Sequence, residues 1–308
     1  MNNHLPDLSH FKPHISPEQV ETCKKWFQSV VDSYKHGNDI ENIVLKERHT
    51  KRVYQEIVFL GTELGLGEKQ LCLAQVTALF HDIGRFEQYA RYQTFMDGQS
   101  ENHAILGVKV LKKMKGLNFL GKSLKSLVFR IILYHNRAVL PPKETPVCLF
   151  FSKLLRDADK LDIWRVVTDY YRQKDRGRNK TIELDLPDTP GISKNVSKCM
   201  MNQTIVDIKQ ISSLNDLKLL QIGWIFDLNF RPAFKAVQSR RYLEMIFEAL
   251  PPLKEICLIS NIVFTYLEKQ NRNNKHALDF TSDVQRFRRT APVSTALFSQ
   301  RKGNEYYK

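Results

Sequence analysis

No run of about 18 consecutive apolar residues occurs in the chain, which excludes a conventional membrane-spanning helix. Cysteine is sparse: Cys23, Cys72, Cys148, Cys199 and Cys257 are scattered through 308 residues without a single CxxC pair. That spacing suits core thiols in a reducing compartment better than a disulfide framework or a zinc knuckle. Met1–Asp7 lacks a basic segment leading into an apolar run, so no secretory signal is read there and the cytoplasm is the expected location. There is no internal repeat. With hydrophobic residues at 42% and charged residues at 26%, the composition also excludes a mostly disordered chain.

Charge is one-sided. A formal net charge of +14 attracts anions, whether phosphorylated metabolites, nucleic acid or acidic surfaces, and sign alone does not choose among them. Part of the excess lies in the tail from Asn271 to Lys308, which carries eight Lys/Arg against three Asp/Glu. The charge is therefore weak testimony about any active site.

Apolar residues recur at helical spacing almost throughout, and turn signals stand far apart, so the expected fold is all-α. Helices are expected over 17–34, 40–64, where Gly65-Leu66-Gly67 stops the pattern, and 68–82, which Gly84 ends. Residues 85–99 read as an aromatic-rich connection, with Phe86, Tyr89, Tyr92 and Phe95 as core rather than a base-stacking platform. Ser100 is the expected N-cap of a helix over 101–115, followed by helices over 123–134 and 147–174. Residues 175–194, rich in Gly, Pro and Asp, read as a loop or small hairpin. Further helices fit 194–211, 214–226, 231–250, with Asp227 capping the last of these, and 252–270. The resulting division is a lead-in over 1–39, a core over 40–175, a helical C-terminal extension over 176–270 and a basic tail over 271–308.

Chemistry concentrates in the core segment. His81 and Asp82 are adjacent, and neighbours on a helix point about 100° apart, so both reach one ion only where the helix ends. Gly84 supplies that end. His49 lies on the preceding expected helix, His103 opens the next, His135 ends the one after, and Asp159 sits within Asp157-Ala158-Asp159-Lys160-Leu161-Asp162. Successive helices thus donate imidazole and carboxylate groups, the donors suited to Fe, Mn, Zn or Ni. Six candidate ligands suffice for two divalent ions if one carboxylate bridges them, and Asp82 is the natural bridge. His4, His10, His14 and His276 have no partners at ligand spacing.

The ordered set His49, His81-Asp82 and Asp159 resembles the H…HD…D signature of the HD superfamily of metal-dependent phosphohydrolases. His81-Asp82-Ile83-Gly84-Arg85 is similar to the superfamily's HDIGK/HDIGR form, and His103 and His135 resemble the added histidines of binuclear branches such as the HD-GYP phosphodiesterases. The resemblance covers about residues 46–162 and departs from the HD-GYP proteins in lacking a downstream GYP element. It implies an HD-domain helical bundle with additional C-terminal helices.

The expected function is therefore metal-dependent hydrolysis of a phosphoester or phosphoanhydride of a nucleotide or related small molecule, with Asp82 and Arg85 as catalytic residues. Arg85, Asn136, Arg137 and Lys160 are the expected substrate-binding groups, Arg85 through its fork of donors. Arg85 equally suits neutralising Glu87 or Asp82, and Asp162 suits either orienting a ligand or pairing with Arg165. Two other classes stay open. One is a di-iron HD-fold oxygenase; the other is a metal-stabilised binding module whose basic tail takes nucleic acid.

Overall fold

Some helices start where the local sequence supplies side-chain partners for their first free N–H groups. In a computed structural model describing Pro6, Leu8 and residues 10–35, 40–173 and 177–272, α1 (Pro17–Asp32) opens with a capping box: Ser16 and Gln19 each accept from the other's backbone N–H, and Pro17 takes the first helical position. α2 (Ile40–Glu63) is followed by α3 (Glu68–Phe80) and α4 (Ile83–Tyr92). Then come α5 (His103–Lys113), capped by the Asn102 side chain, and α6 (Lys122–Tyr134). α7 (Pro146–Arg172), capped by Thr145 with proline at its first position, is buried along most of its length.

The chain continues through α8 (Lys180–Glu183), α9 (Lys194–Met201), α10 (Leu214–Gly223), α11 (Arg231–Arg240), α12 (Tyr242–Glu248) and α13 (Lys254–Arg272). Short 3₁₀ turns lie at Asp97–Gln99, Ile208–Gln210 and Trp224–Asp227. Among the described residues there is no strand, so the fold is all-α. None of the described helices is long and apolar enough to cross a membrane.

α7 is the hub. It packs against α2, α3, α6, α11 and α12, while α4 packs against α5 and α5 against α6. The core runs continuously from Phe27 and Phe80 through Phe151 and Trp164 to Ile246 and Ile259. Polar ties lock the C-terminal helices onto α7: Trp164 Nε1 donates to the Gln221 carbonyl at 2.9 Å, and Lys160 pairs with Asp227 at 2.7 Å. Buried Asp157 accepts from the backbone N–H of Asn229 and Phe230 and from Asn229 Nδ2, each at 2.9 Å.

Several expected elements differ. The stretch read as a connection over 85–99 is mostly helix α4, because Gly84 does not stop a helix here but lets α4 approach α5. A Cβ on Gly84 would lie 2.1 Å from the His103 carbonyl oxygen and 2.4 Å from Gly107 N. Asn102, not Ser100, caps α5. The 194–211 pattern is helical only to Met201, and the 231–250 pattern is split by Arg241, which adopts a left-handed conformation at φ 56°. No hairpin forms among the described part of 175–194, which instead holds the single turn α8.

Asp227 does not cap α11, whose N-cap position is Phe230; its carboxylate is taken by Arg156 and Lys160. Of the five cysteines, Cys23, Cys72 and Cys148 are buried, Cys199 is half-buried and Cys257 is exposed. Tyr92 is exposed rather than core, whereas Phe86 and Tyr89 are buried. The basic tail, beyond Arg272, lies outside the described residues.

Candidate metal centre

The break between α3 and α4 builds the centre. α3 ends at Phe80, and Asp82, at φ −103° and ψ 13°, turns the backbone before α4 begins at Ile83. This lets adjacent His81 and Asp82 face one locus. Around them the bundle brings His49 from α2, His103 from the start of α5, His135 from the end of α6 and Asp159 from α7.

All four histidines present the same nitrogen inward. His81 Nδ1 lies 2.7 Å from the Ala78 carbonyl and His135 Nδ1 2.6 Å from the Ile132 carbonyl. A carbonyl only accepts, so both Nδ1 atoms carry a proton, which in a neutral ring leaves the lone pair on Nε2. His49 Nδ1 meets Asp162 Oδ2 at 2.7 Å, and His103 Nδ1 meets both Asp97 oxygens at 2.8 Å. Such partners fix ring orientation and raise donor strength, as expected behind metal ligands.

The two oxygens of Asp82 divide the cluster. Oδ2 lies 3.6 Å from His49 Nε2 and 3.8 Å from His81 Nε2, and Asp159 Oδ1 stands 3.1 Å and 3.8 Å from the same two nitrogens. Oδ1 lies 3.4 Å from His103 Nε2 and 3.6 Å from His135 Nε2. The sets His49, His81, Asp159 and His81, Asp82, His135 each have spacings that a single ion can span.

The donors fit a cation better than they fit each other. His81 Nε2 and Asp159 Oδ1 are buried with no hydrogen-bond partner, an arrangement that is costly unless an ion satisfies them. His103 Nε2 and His135 Nε2 stand 3.0 Å apart, a spacing at which both can ligate one ion.

Electrostatics separates the histidines. Burial pushes His81 down to about 4, and burial with the Arg85 charge pushes His103 down to about 3, so both are neutral and ready to ligate. Burial also opposes a charge on His49, but the carboxylates of Asp159 and Asp162 facing it outweigh that and raise it to about 9. Burial favours protonation of Asp82 and Asp159 as well; cationic Lys46 holds Asp82 well below the usual carboxylate range, and His49 does the same for Asp159.

A family model for the HD domain matches residues 47–164. This stretch is an HD domain. HD domains belong to a superfamily of metal-dependent phosphohydrolases and bind divalent metals, and all six converging side chains fall inside the matched span. Neither curated proteins nor solved structures yield a match to the chain.

The remaining expected site residues of the HD domain are placed differently from one another. Arg85 lies at the rim: its Nη1 donates to Gln88 at 2.9 Å and Asp97 at 3.0 Å, while its buried Nε has no hydrogen-bond partner and stands 3.6 Å from Asp82 Oδ1. Glu87 is engaged elsewhere, by Tyr34 and Arg91. Asn136 donates to Asp97 at 3.2 Å. Arg137 is exposed, its guanidinium 4.9 Å from the Tyr134 ring centre, and Lys160 is turned toward Asp227. Asp162 takes His49 and Arg52 rather than Arg165.

Sequence reasoning missed two groups. Lys46 Nζ lies 3.0 Å from Asp82 Oδ2; its position one turn before His49 was the available signal. Asp97, which orients His103, sits in the 3₁₀ turn before α5 and carries no periodic signal at all.

Proposed function

We propose that the protein hydrolyses a phosphoester or phosphoanhydride bond of a small phosphorylated molecule, using two divalent transition-metal ions (Fe, Mn, Zn or Ni) that His49, His81, Asp82, His103, His135 and Asp159 would hold. The observation that carries this is the division of Asp82: one oxygen faces His49, His81 and Asp159, the other His103 and His135. When bound, such ions make hydroxide available near neutral pH and neutralise phosphoryl charge.

The chain's own residues do the rest. Asp162, Asp97 and two backbone carbonyls hold the imidazoles in the ligating tautomer. Arg85 Nε, buried and without a hydrogen-bond partner, and the Lys46 ammonium are the donors nearest the centre for phosphate oxygens. Asn136 supports this edge through Asp97, while Arg137 and Lys160 play secondary roles, Arg137 at the surface and Lys160 through its ion pair with Asp227.

The test is a phosphate-release screen on metal-replete full-length protein, run with and without dioxygen. The panel holds phosphomonoesters, phosphodiesters, dinucleoside polyphosphates and the nucleotides expected from sequence. Oxygen-independent phosphate release supports the proposal. An intact panel, or turnover that consumes dioxygen, contradicts it.

A further inference from the structure

Beside the metal centre lies a half-open cavity of about 290 Å³, at the small end of small-molecule sites. Its wall has two characters. Lys46, His49 and Arg85 form the end at the metal centre, and the remainder is dominated by branched aliphatic residues and aromatics such as Ile163, Val166, Leu220 and Trp224. Ile208, more than half exposed, carries the apolar character out to the surface.

The neutral polar side chains in this wall are few, Thr181 and Gln221, and Gln221 already accepts the Tyr171 hydroxyl on Oε1 at 2.9 Å and the Trp164 indole on its carbonyl. A base edge buried here would exchange its hydrogen bonds to water for contact with hydrocarbon, which is unfavourable. An aliphatic chain would gain from the same contact. Lys46 sits at the junction, its ammonium 3.0 Å from Asp82 and 5.4 Å from the Phe95 ring centre, so that an anionic head and an apolar body meet there.

We infer that the substrate is an amphiphile: a phosphate monoester of an aliphatic alcohol, its phosphate at the metal centre and its chain in the cavity lined by α7 and α10. The inference rests on the proposed phosphohydrolase reading and narrows it, favouring an apolar body over a nucleoside.

The experiment is calorimetric binding to full-length metal-replete protein of a non-hydrolysable ladder: methyl-, butyl- and octylphosphonate, with octanol and adenosine monophosphate as comparators. Affinity should rise about fourfold per buried methylene, hence roughly a hundredfold or more from butyl to octyl if the cavity takes the whole chain. Val166→Trp, which fills the cavity from α7, should abolish that rise while leaving methylphosphonate binding unchanged. Equal affinity for methyl- and octylphosphonate overturns the inference and leaves the phosphohydrolase reading standing, as does adenosine monophosphate binding more tightly than octylphosphonate. Octanol matching octylphosphonate while methylphosphonate fails to bind overturns both. The wild-type ladder decides the matter even where Val166→Trp does not fold.

Discussion

Gly84→Ala tests whether the site depends on the close approach of α4 and α5. The added Cβ would lie 2.1 Å from the His103 carbonyl oxygen, 2.4 Å from Gly107 N and 2.9 Å from Gly107 Cα, where real Cβ contacts essentially never fall below 3.0 Å. These are backbone atoms, so no side chain can swing aside, and the helices must separate by about 0.9 Å at the nearest contact. Overpacking of this kind costs about 1–3 kcal/mol, and backbone obstacles place it toward the upper end. The functional effect should be larger than the loss of stability. α5 carries His103, and α4 begins immediately after Asp82, so separation widens the 3.4 Å gap between His103 Nε2 and Asp82 Oδ1. A misplacement of about 1 Å can cost about a hundredfold in rate. The assay combines thermal unfolding, metal content by elemental analysis and phosphate release. Wild-type melting temperature, metal content and turnover in Gly84→Ala would refute the reasoning.

Asp82→Ala should lose activity to background and most of its bound metal, whereas Arg85→Ala should weaken substrate handling while metal stays bound; elemental analysis beside steady-state kinetics separates the two. Asp157→Ala should destabilise the fold by about 3 kcal/mol or more in urea titration, since the donors of Asn229 and Phe230 lose a buried acceptor. Metal-free protein should be most stable near pH 6.5, the unfolded-state value for histidine. His81, held down to about 4, contributes stability that is present above 6.5 and lost as pH falls toward 4. His49, raised to about 9, contributes stability that is present below 6.5 and lost as pH rises through 9. Melting temperatures of chelator-treated protein across pH 4–9 check this, and a monotonic profile would contradict it.

The all-α fold was legible because apolar residues recur at helical spacing through most of the chain, and α1, α5, α7 and α10 carry their own side-chain caps. What was not legible depends on contacts distant in sequence. Gly84 reads as a stop when seen alone and as a contact point only once the α5 backbone lies against it. Arg241 gives no warning that it will turn left-handed and divide one helical pattern into α11 and α12. In the site, adjacency made His81-Asp82 conspicuous, and the placing of His49, His103 and His135 near helix ends or on successive helices made a common centre conceivable. Asp97 was invisible as a participant because its role arises from where the 3₁₀ turn falls in space, whereas Lys46 offered only its place one turn before His49. Lys160 illustrates the converse: it stands beside Asp159 in sequence yet faces Asp227, since helix neighbours diverge by about 100°.

The most direct test of the central claim is anomalous X-ray scattering from crystals of metal-loaded protein, recorded at the absorption edge of the ion found by elemental analysis. The account predicts two peaks flanking Asp82, one within about 2.0–2.2 Å of His49 and His81 Nε2 and of Asp159, the other at that distance from His103 and His135 Nε2. A fully loaded crystal with no peak among these six side chains would contradict it.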